Sequence, residues 1–278
     1  MKIKFLILIV LLTTSTIRLN AQSFNVGTFN IRFDNPKDSG NLWINRSPVV
    51  SNLIRFHDFD VFGIQEGLKN QLDDISAALP GYARYGRGRD DGKDGGEHSA
   101  VYYKKDKYKL VKSGDFWLSE TPDVPSKGWD ATCCNRICSW VYLEDIKSKK
   151  KFYLFNVHFD HQGIIARKES GKLMANKIKE ITGNEPAILT GDLNGDRKSE
   201  WYLTLANSNI VRDAYVEVKF PYENNSSSNG FRVPRGMGVI DHIFISKQFT
   251  VSRWGILTDT YFGKFPSDHF PVMATVSF

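Results

Sequence analysis

The chain has 278 residues, 41% of them hydrophobic and 24% charged, with a formal net charge of +6. That length suits one large α/β domain, and the absence of a second apolar stretch of membrane-spanning length after the N-terminal run predicts a soluble mature protein with no transmembrane segment. Loss of Lys2, Lys4 and Arg18 with a cleaved leader would take the 37 basic residues to 34 against 31 acidic, a net +3 that gives no charge-based support for a nucleic-acid partner.

Residues 1–21 read as a secretory signal peptide. Lys2 and Lys4 supply the positive start, residues 5–12 form an unbroken apolar run, and a short polar stretch ends at Ala21, so cleavage is expected before Gln22. No cysteine lies near that point, which argues against a lipid anchor and for a periplasmic or secreted product. Residues 22–278, without repeats or a linker-like segment, are expected to form one catalytic domain.

The first apolar run, 24–29, has strand character and closes on Asn30. Helical spacing follows over 48–55, and a second strand, 61–65, closes on Glu66. Residues 70–79 again have helical spacing, and the Gly/Asp-rich stretch 86–96, followed by Glu97, reads as a loop. A strand is expected over 99–103. Cys133, Cys134 and Cys138 then cluster without the second Cys or His pair of a zinc site. Export permits a local disulfide, but adjacent cysteines rarely pair, so a small cluster with a spare thiol is expected.

Arg136 precedes the strand 139–143, and the strand 152–157 closes on His158. A helix over 165–181, with Lys and Glu on its outer face, leads to the strand 187–190 and to Asp192 and Asn194. The Ser/Asn-rich segment 224–230 reads as an exposed loop. Asp241 lies in the strand 239–245, and Asp268 and His269 precede the last one, 272–276. Strands and helices mixed in this way predict an α/β fold with sheets buried between helix layers.

Polar residues that end several strands can converge on one rim, where open α/β sheets bind ligands. The residue types suit one job. Mg²⁺ takes hard oxygen ligands with only one or two carboxylates, which Glu66 and Asp268 would supply, with Asn30 adding a neutral oxygen. A phosphoryl centre under attack needs a positioned water and hydrogen-bond donors. His158, His269 and Asn194 are suitable donors, and Asp192 or a carboxylate-oriented His would take the proton.

The segments Thr-Phe-Asn-Ile-Arg, Gly-Ile-Gln-Glu, Gly-Asp-Leu-Asn, Ile-Asp-His-Ile and Ser-Asp-His-Phe-Pro-Val resemble, in order, those of the endonuclease/exonuclease/phosphatase superfamily. The resemblance implies a four-layer sandwich: two mixed β-sheets packed together, with helices on both outer faces. It implies Mg²⁺, or Mn²⁺, on Glu66 with help from Asn30 and Asp268, Asp241 orienting His269, and Asp192 with Asn194 positioning water and phosphate. By the same resemblance His158 is the second active-site histidine, paired with Glu97 in its charged form, and Arg32 and Arg136 contact or support the substrate phosphate.

Two departures bear on substrate. Leu68 and Gly95 stand where deoxyribonuclease I inserts an Arg and a Tyr into the DNA minor groove, and Arg32 stands where repair-type members carry an acid. The first expectation is an exported Mg²⁺-dependent phosphodiesterase or nuclease-like hydrolase. The alternative is a phosphomonoesterase acting on a sugar, nucleotide or lipid head-group phosphate, and a non-catalytic binding module ranks third.

Overall fold

The computed structural model describes residues 23–233, 236 and 238–278, so the signal peptide expected over 1–21 lies outside the described residues. In chain order the elements are β1 (Ser23–Asn30), α1 (Trp43–Phe56), β2 (Val61–Gly67), α2 (Lys69–Ala78), β3 (Tyr82–Tyr85), β4 (His98–Lys104), β5 (Tyr108–Trp117), β6 (Ile137–Asp145) and β7 (Lys151–His158). Then come α3 (Ile164–Thr182), β8 (Ala187–Asp192), α4 (Glu200–Ala206), β9 (Arg212–Asp213), β10 (Asp241–Ile245), β11 (Thr250–Ile256) and β12 (Val272–Ser277).

The strands form two mixed sheets of six, ordered β11-β12-β1-β2-β4-β3 and β5-β6-β7-β8-β10-β9. Three apolar clusters separate four layers. Trp43, Val50, Ile54, Leu72 and Ile75 join α1 and α2 to the outer face of the first sheet. Met174, Ala175, Ile178, Tyr202 and Leu205 join α3 and α4 to the second. Between the sheets lie Val26, Val101, Val141, Phe152, Ile188 and Ile243. This is the expected four-layer sandwich, and it arises because central strands buried on both faces are apolar nearly throughout.

One polar group crosses the central layer. Asn156 donates to the carbonyls of Ile64 (2.8 Å) and Ala100 (2.9 Å). Its Oδ1 accepts from Gln65 Nε2 at 2.6 Å and Thr190 Oγ1 at 3.1 Å. Gly63 makes room for it, since a Cβ there would run into Asn156 Oδ1 and Thr190 Oγ1. Asn156 itself has every side-chain donor and acceptor satisfied, and a buried hub of this kind specifies one arrangement of its elements. Here it fixes how the two sheets face each other, and so where their strand ends meet.

Several elements differ from expectation. Helix α1 begins at Trp43 rather than at residue 48, with Pro48 inside it. Trp43 is 3% exposed and donates Nε1 to Asp74 Oδ2 at 2.8 Å, and this tertiary anchor outweighs the helix-ending tendency of proline. Strand β5, unforeseen, is a sheet edge with an irregularity between Leu110 and Lys112, which erases its period-two pattern. The short β3 and β9, the strand β11 and the helix α4 were equally unmarked.

Candidate active site

Strand register assembles most of the site. In parallel β7 and β8, His158 stands opposite Asp192. In antiparallel β8 and β10, Asp192 stands opposite Asp241. Three functional side chains thus end three adjacent strands side by side. From the other sheet, Asn30 ends β1, and Glu66 lies where the pairing of β2 with β4 shifts between Ile64 and Gly67. The left-handed φ values of Arg32 (57°), Glu66 (62°) and Asn194 (46°) are uncommon for non-glycine residues and gather at functional sites.

Arg46, in α1 and fully buried, fastens this rim. Its guanidinium donates to the carbonyls of Ile31 (2.8 Å), Pro266 (2.9 Å) and Arg32 (3.2 Å), tying the turn after Asn30 to the segment that carries Asp268. Ser267 Oγ adds a 2.7 Å bond to the Asn30 carbonyl.

At the centre, Asn30 Nδ2 donates to Glu66 Oε1 at 3.0 Å and Asp192 Oδ2 at 3.1 Å. Asn194 donates its backbone N–H to Asp192 Oδ1 (2.8 Å), and its Nδ2 lies 3.1 Å from His158 Nε2. Asp241 Oδ2 holds His269 Nδ1 at 2.9 Å, leaving His269 Nε2 3.8 Å from Asp192 Oδ2. Burial opposes charge on His269, yet Asp241, Asp192 and Asp268 together hold its imidazolium well above the ordinary range. Burial, reinforced by the Asp241 charge, pushes the Asp192 carboxyl up to about 7. Shifts of this size in one cleft are typical of functional sites.

His158 corrects an expectation. Burial and the nearby Arg136 and Arg89 hold it well below the ordinary value, hence neutral rather than charged. Glu97 does not act as its partner: the carboxylate is gripped by Arg89 at 2.6 and 2.9 Å, because a guanidinium fork matches a carboxylate better than an imidazole does. His158 Nδ1 is buried and unpartnered among the described residues. Arg136 lies beside His158 as expected. Its Nε is 3.4 Å from Asp160 and its Nη2 2.7 Å from His161, while Nη1 is buried without a partner among the described residues.

Arg32 is gripped by Asp38 at 2.9 and 3.2 Å and lies 3.9 Å from Glu66 and 3.8 Å from Asp268, so it faces the carboxylates expected to hold the metal. Those carboxylates share one side of the molecule. Burial raises Asp268 above the usual carboxylate range, and the Glu66 charge adds to that although His269 and Arg32 oppose it. Two hard-oxygen groups that repel one another fit a divalent cation, whereas Asn30 turns its Nδ2 towards Glu66 and its oxygen accepts from the Arg32 backbone N–H at 3.0 Å, so the amide would have to flip to add a neutral oxygen. Asp192, Asp241 and His269 also bring ligand-type atoms within 4.8 Å of one another. There the Asp241–His269 hydrogen bond already engages two of the three groups.

Sequence reasoning left Arg46, Arg89 and His161 without roles, and no local motif distinguishes them. It also expected adjacent cysteines not to pair, whereas Cys133 and Cys134 form a disulfide and Cys138 is the buried free thiol. All these groups except Arg46 and Cys138 line one cavity of about 490 Å³ with Glu66, His158, Asp192, Asn194 and His269.

A sequence model of the Endonuclease/Exonuclease/phosphatase family matches residues 27–269. A mannosyl-6-phosphatase of Bacteroides thetaiotaomicron is 46% identical, with a TM-score of 0.90 over 92% of this chain and 100% of its own. An endonuclease/exonuclease/phosphatase of Bacteroides vulgatus is 40% identical, with a TM-score of 0.88 over 92% of this chain and 99% of its own. An uncharacterized protein of Acanthamoeba polyphaga mimivirus is 33% identical over 179 residues, 61% of this chain and 65% of the viral protein. The chain therefore spans slightly less than two thirds of that relative's length.

Proposed function

The chain belongs to the endonuclease/exonuclease/phosphatase family and is a phosphoester hydrolase, and on that premise we propose that it is an exported, Mg²⁺-dependent phosphomonoesterase whose substrate is a sugar phosphate, with mannose 6-phosphate the first candidate. The observation that carries this reading is the shape of the site. The groups fitted for phosphate chemistry line a half-open cavity of about 490 Å³, within the range of small-molecule pockets. The mannosyl-6-phosphatase likeness over 92% of the chain supports the same substrate class. The diesterase reading takes second place, because Arg32, one of its two motives, is committed to Asp38.

The proposed roles follow from the contacts. Asp192, bounded by Asn30, Asn194, His158 and His269, is the group to take a proton as a water oxygen bonds to phosphorus and the ester P–O bond breaks, the leaving oxygen taking up a proton to depart as the alcohol. His269, oriented and charged by Asp241, donates to the phosphoryl oxygens; Arg136 and Asn194 line the same cavity, and neutral His158 accepts from Asn194 Nδ2 and so holds that amide in place. Glu66, Asp268 and Asn30 would hold the divalent metal, which supplies charge neutralisation for the phosphoryl oxygens when bound. The leader-like residues 1–21 and the Cys133–Cys134 disulfide support a periplasmic or secreted location.

Phosphate release from a panel of sugar phosphates in Mg²⁺ tests the reading. Turnover that EDTA abolishes, and that Asp192→Ala lowers by roughly 10³-fold, is expected. Cleavage of diesters alone, with no phosphate from any monoester, would refute it.

A further inference from the structure

The cavity wall opposite in chemistry to the phosphate groups is made of sulfur. Apart from Phe33, the lining side chains other than Cys133 and Cys134 all carry charged or hydrogen-bonding groups. The Phe33 ring is covered by the Arg32 guanidinium, 4.5 Å from its centroid. That leaves the paired cysteines as the open apolar surface of the site.

Their pairing matters chemically. A free thiol is a weak hydrogen-bond donor, a nucleophile and a metal ligand, and a disulfide has lost those capacities. Joined at adjacent positions, the two side chains close a small ring with the backbone between them, and this removes rotamer freedom that contact with a ligand would otherwise have to freeze out. The flanking loop is fixed as well. Asp130 accepts from the backbone N–H groups of Ile165 (3.1 Å) and Ala166 (2.6 Å) at the start of α3. Asn135 Nδ2 donates to the Arg89 carbonyl at 3.2 Å, and Thr132 bonds Gln162. Two residues beyond Cys134, Arg136 lines the same cavity, and its buried Nη1 has no partner among the described residues.

A hexose phosphate has the matching division: an anionic end, hydroxyl edges, and a ring face made of C–H groups. We propose that the Cys133–Cys134 disulfide is the platform on which the sugar ring of the substrate lies by its C–H face, with the phosphate directed to Arg136, His158 and His269. The Arg89–Glu97 pair in the same cavity offers a donor and an acceptor to the hydroxyl edge. This inference rests on the sugar-phosphate reading and adds to it the residues that select the sugar.

Steady-state kinetics with mannose 6-phosphate on wild type and on the double variant Cys133→Ser/Cys134→Ser, with and without dithiothreitol, separates the possibilities. Inorganic phosphate, which engages only the anionic end, serves as a competing inhibitor. The expected result is a KM raised about five- to tenfold by loss of one apolar contact patch, with kcat and the phosphate inhibition constant unchanged. Dithiothreitol should reproduce the shift in wild type and add nothing in the variant. An unchanged KM in the variant and in the reduced wild type overturns the proposal. So does a KM that rises in step with the phosphate inhibition constant, because the loop would then only shape the anionic end. Should the double variant melt early, the reduced wild type decides alone. Wild type that releases phosphate from no sugar phosphate defeats the functional reading first, whereas turnover with an unmoved KM defeats only the platform.

Discussion

Asp241 governs the charge of His269. Its 2.9 Å bond to His269 Nδ1 sets the imidazole's orientation, and its charge heads the causes that favour the imidazolium against burial. Asp241→Asn keeps the shape and removes the charge. Activity is expected to fall about 10²- to 10³-fold, read as kcat for phosphate release, while the melting temperature moves little. Glu97→Gln tests the pairing found at the opposite wall. Because Glu97 grips Arg89 rather than His158, the substitution should raise KM several-fold through a loosened Arg89 and leave the pH profile of kcat in place. A shifted profile would restore the histidine partnership that the sequence suggests.

Element by element, two contacts hold the framework that aims these groups. Asn156 satisfies two carbonyls and two side chains between the sheets. Asn156→Ala leaves those buried groups unpaired and is expected to cost about 3 kcal/mol of stability, measured by urea unfolding. Asp160 joins β7 to α3, accepting from the backbone N–H groups of Gln162 (2.8 Å) and Gly163 (2.6 Å) and touching Arg136. Burial alone would raise its carboxyl, but those N–H groups and Arg136 bring it below the usual range. A depressed carboxyl stabilises the fold above its unfolded value, near pH 4, and loses that contribution as pH falls through its folded value. Asp160→Asn should therefore be less stable than wild type at pH 7 by about 1–2 kcal/mol, with the gap closing in acid. A gap that persists there would mean that the carboxylate charge is not its source.

What was legible at this scale followed from burial. Strands β2, β7 and β8 are buried almost throughout, so they read as apolar runs, and the first strongly polar residue beyond each run marks the rim. Strand β5 was not legible, because an exposed edge carries no such run. The start of α1 was hidden for a different reason, a tryptophan anchored across 31 residues of sequence.

Across the molecule, the polar ends of strands from both sheets meet because the inter-sheet network fixes their relative placement. The candidate catalytic set was readable in the sequence for that reason: Asn30, Glu66, His158, Asp192, Asp241 and His269 each end or flank a strand. Arg46, Arg89 and the cysteine pair were not readable as parts of the site. They enter it through loops and a helix whose approach depends on tertiary contacts, and a resemblance between catalytic centres says little about the walls that choose a substrate.

The central claim is that this centre acts on a terminal phosphate. Comparing kcat/KM for mannose 6-phosphate with that for its methyl phosphodiester, in Mg²⁺ and with an EDTA control, tests it most directly. A preference of about 100-fold or more for the monoester, lost entirely with the metal, is the predicted result. Equal or faster cleavage of the diester would contradict it.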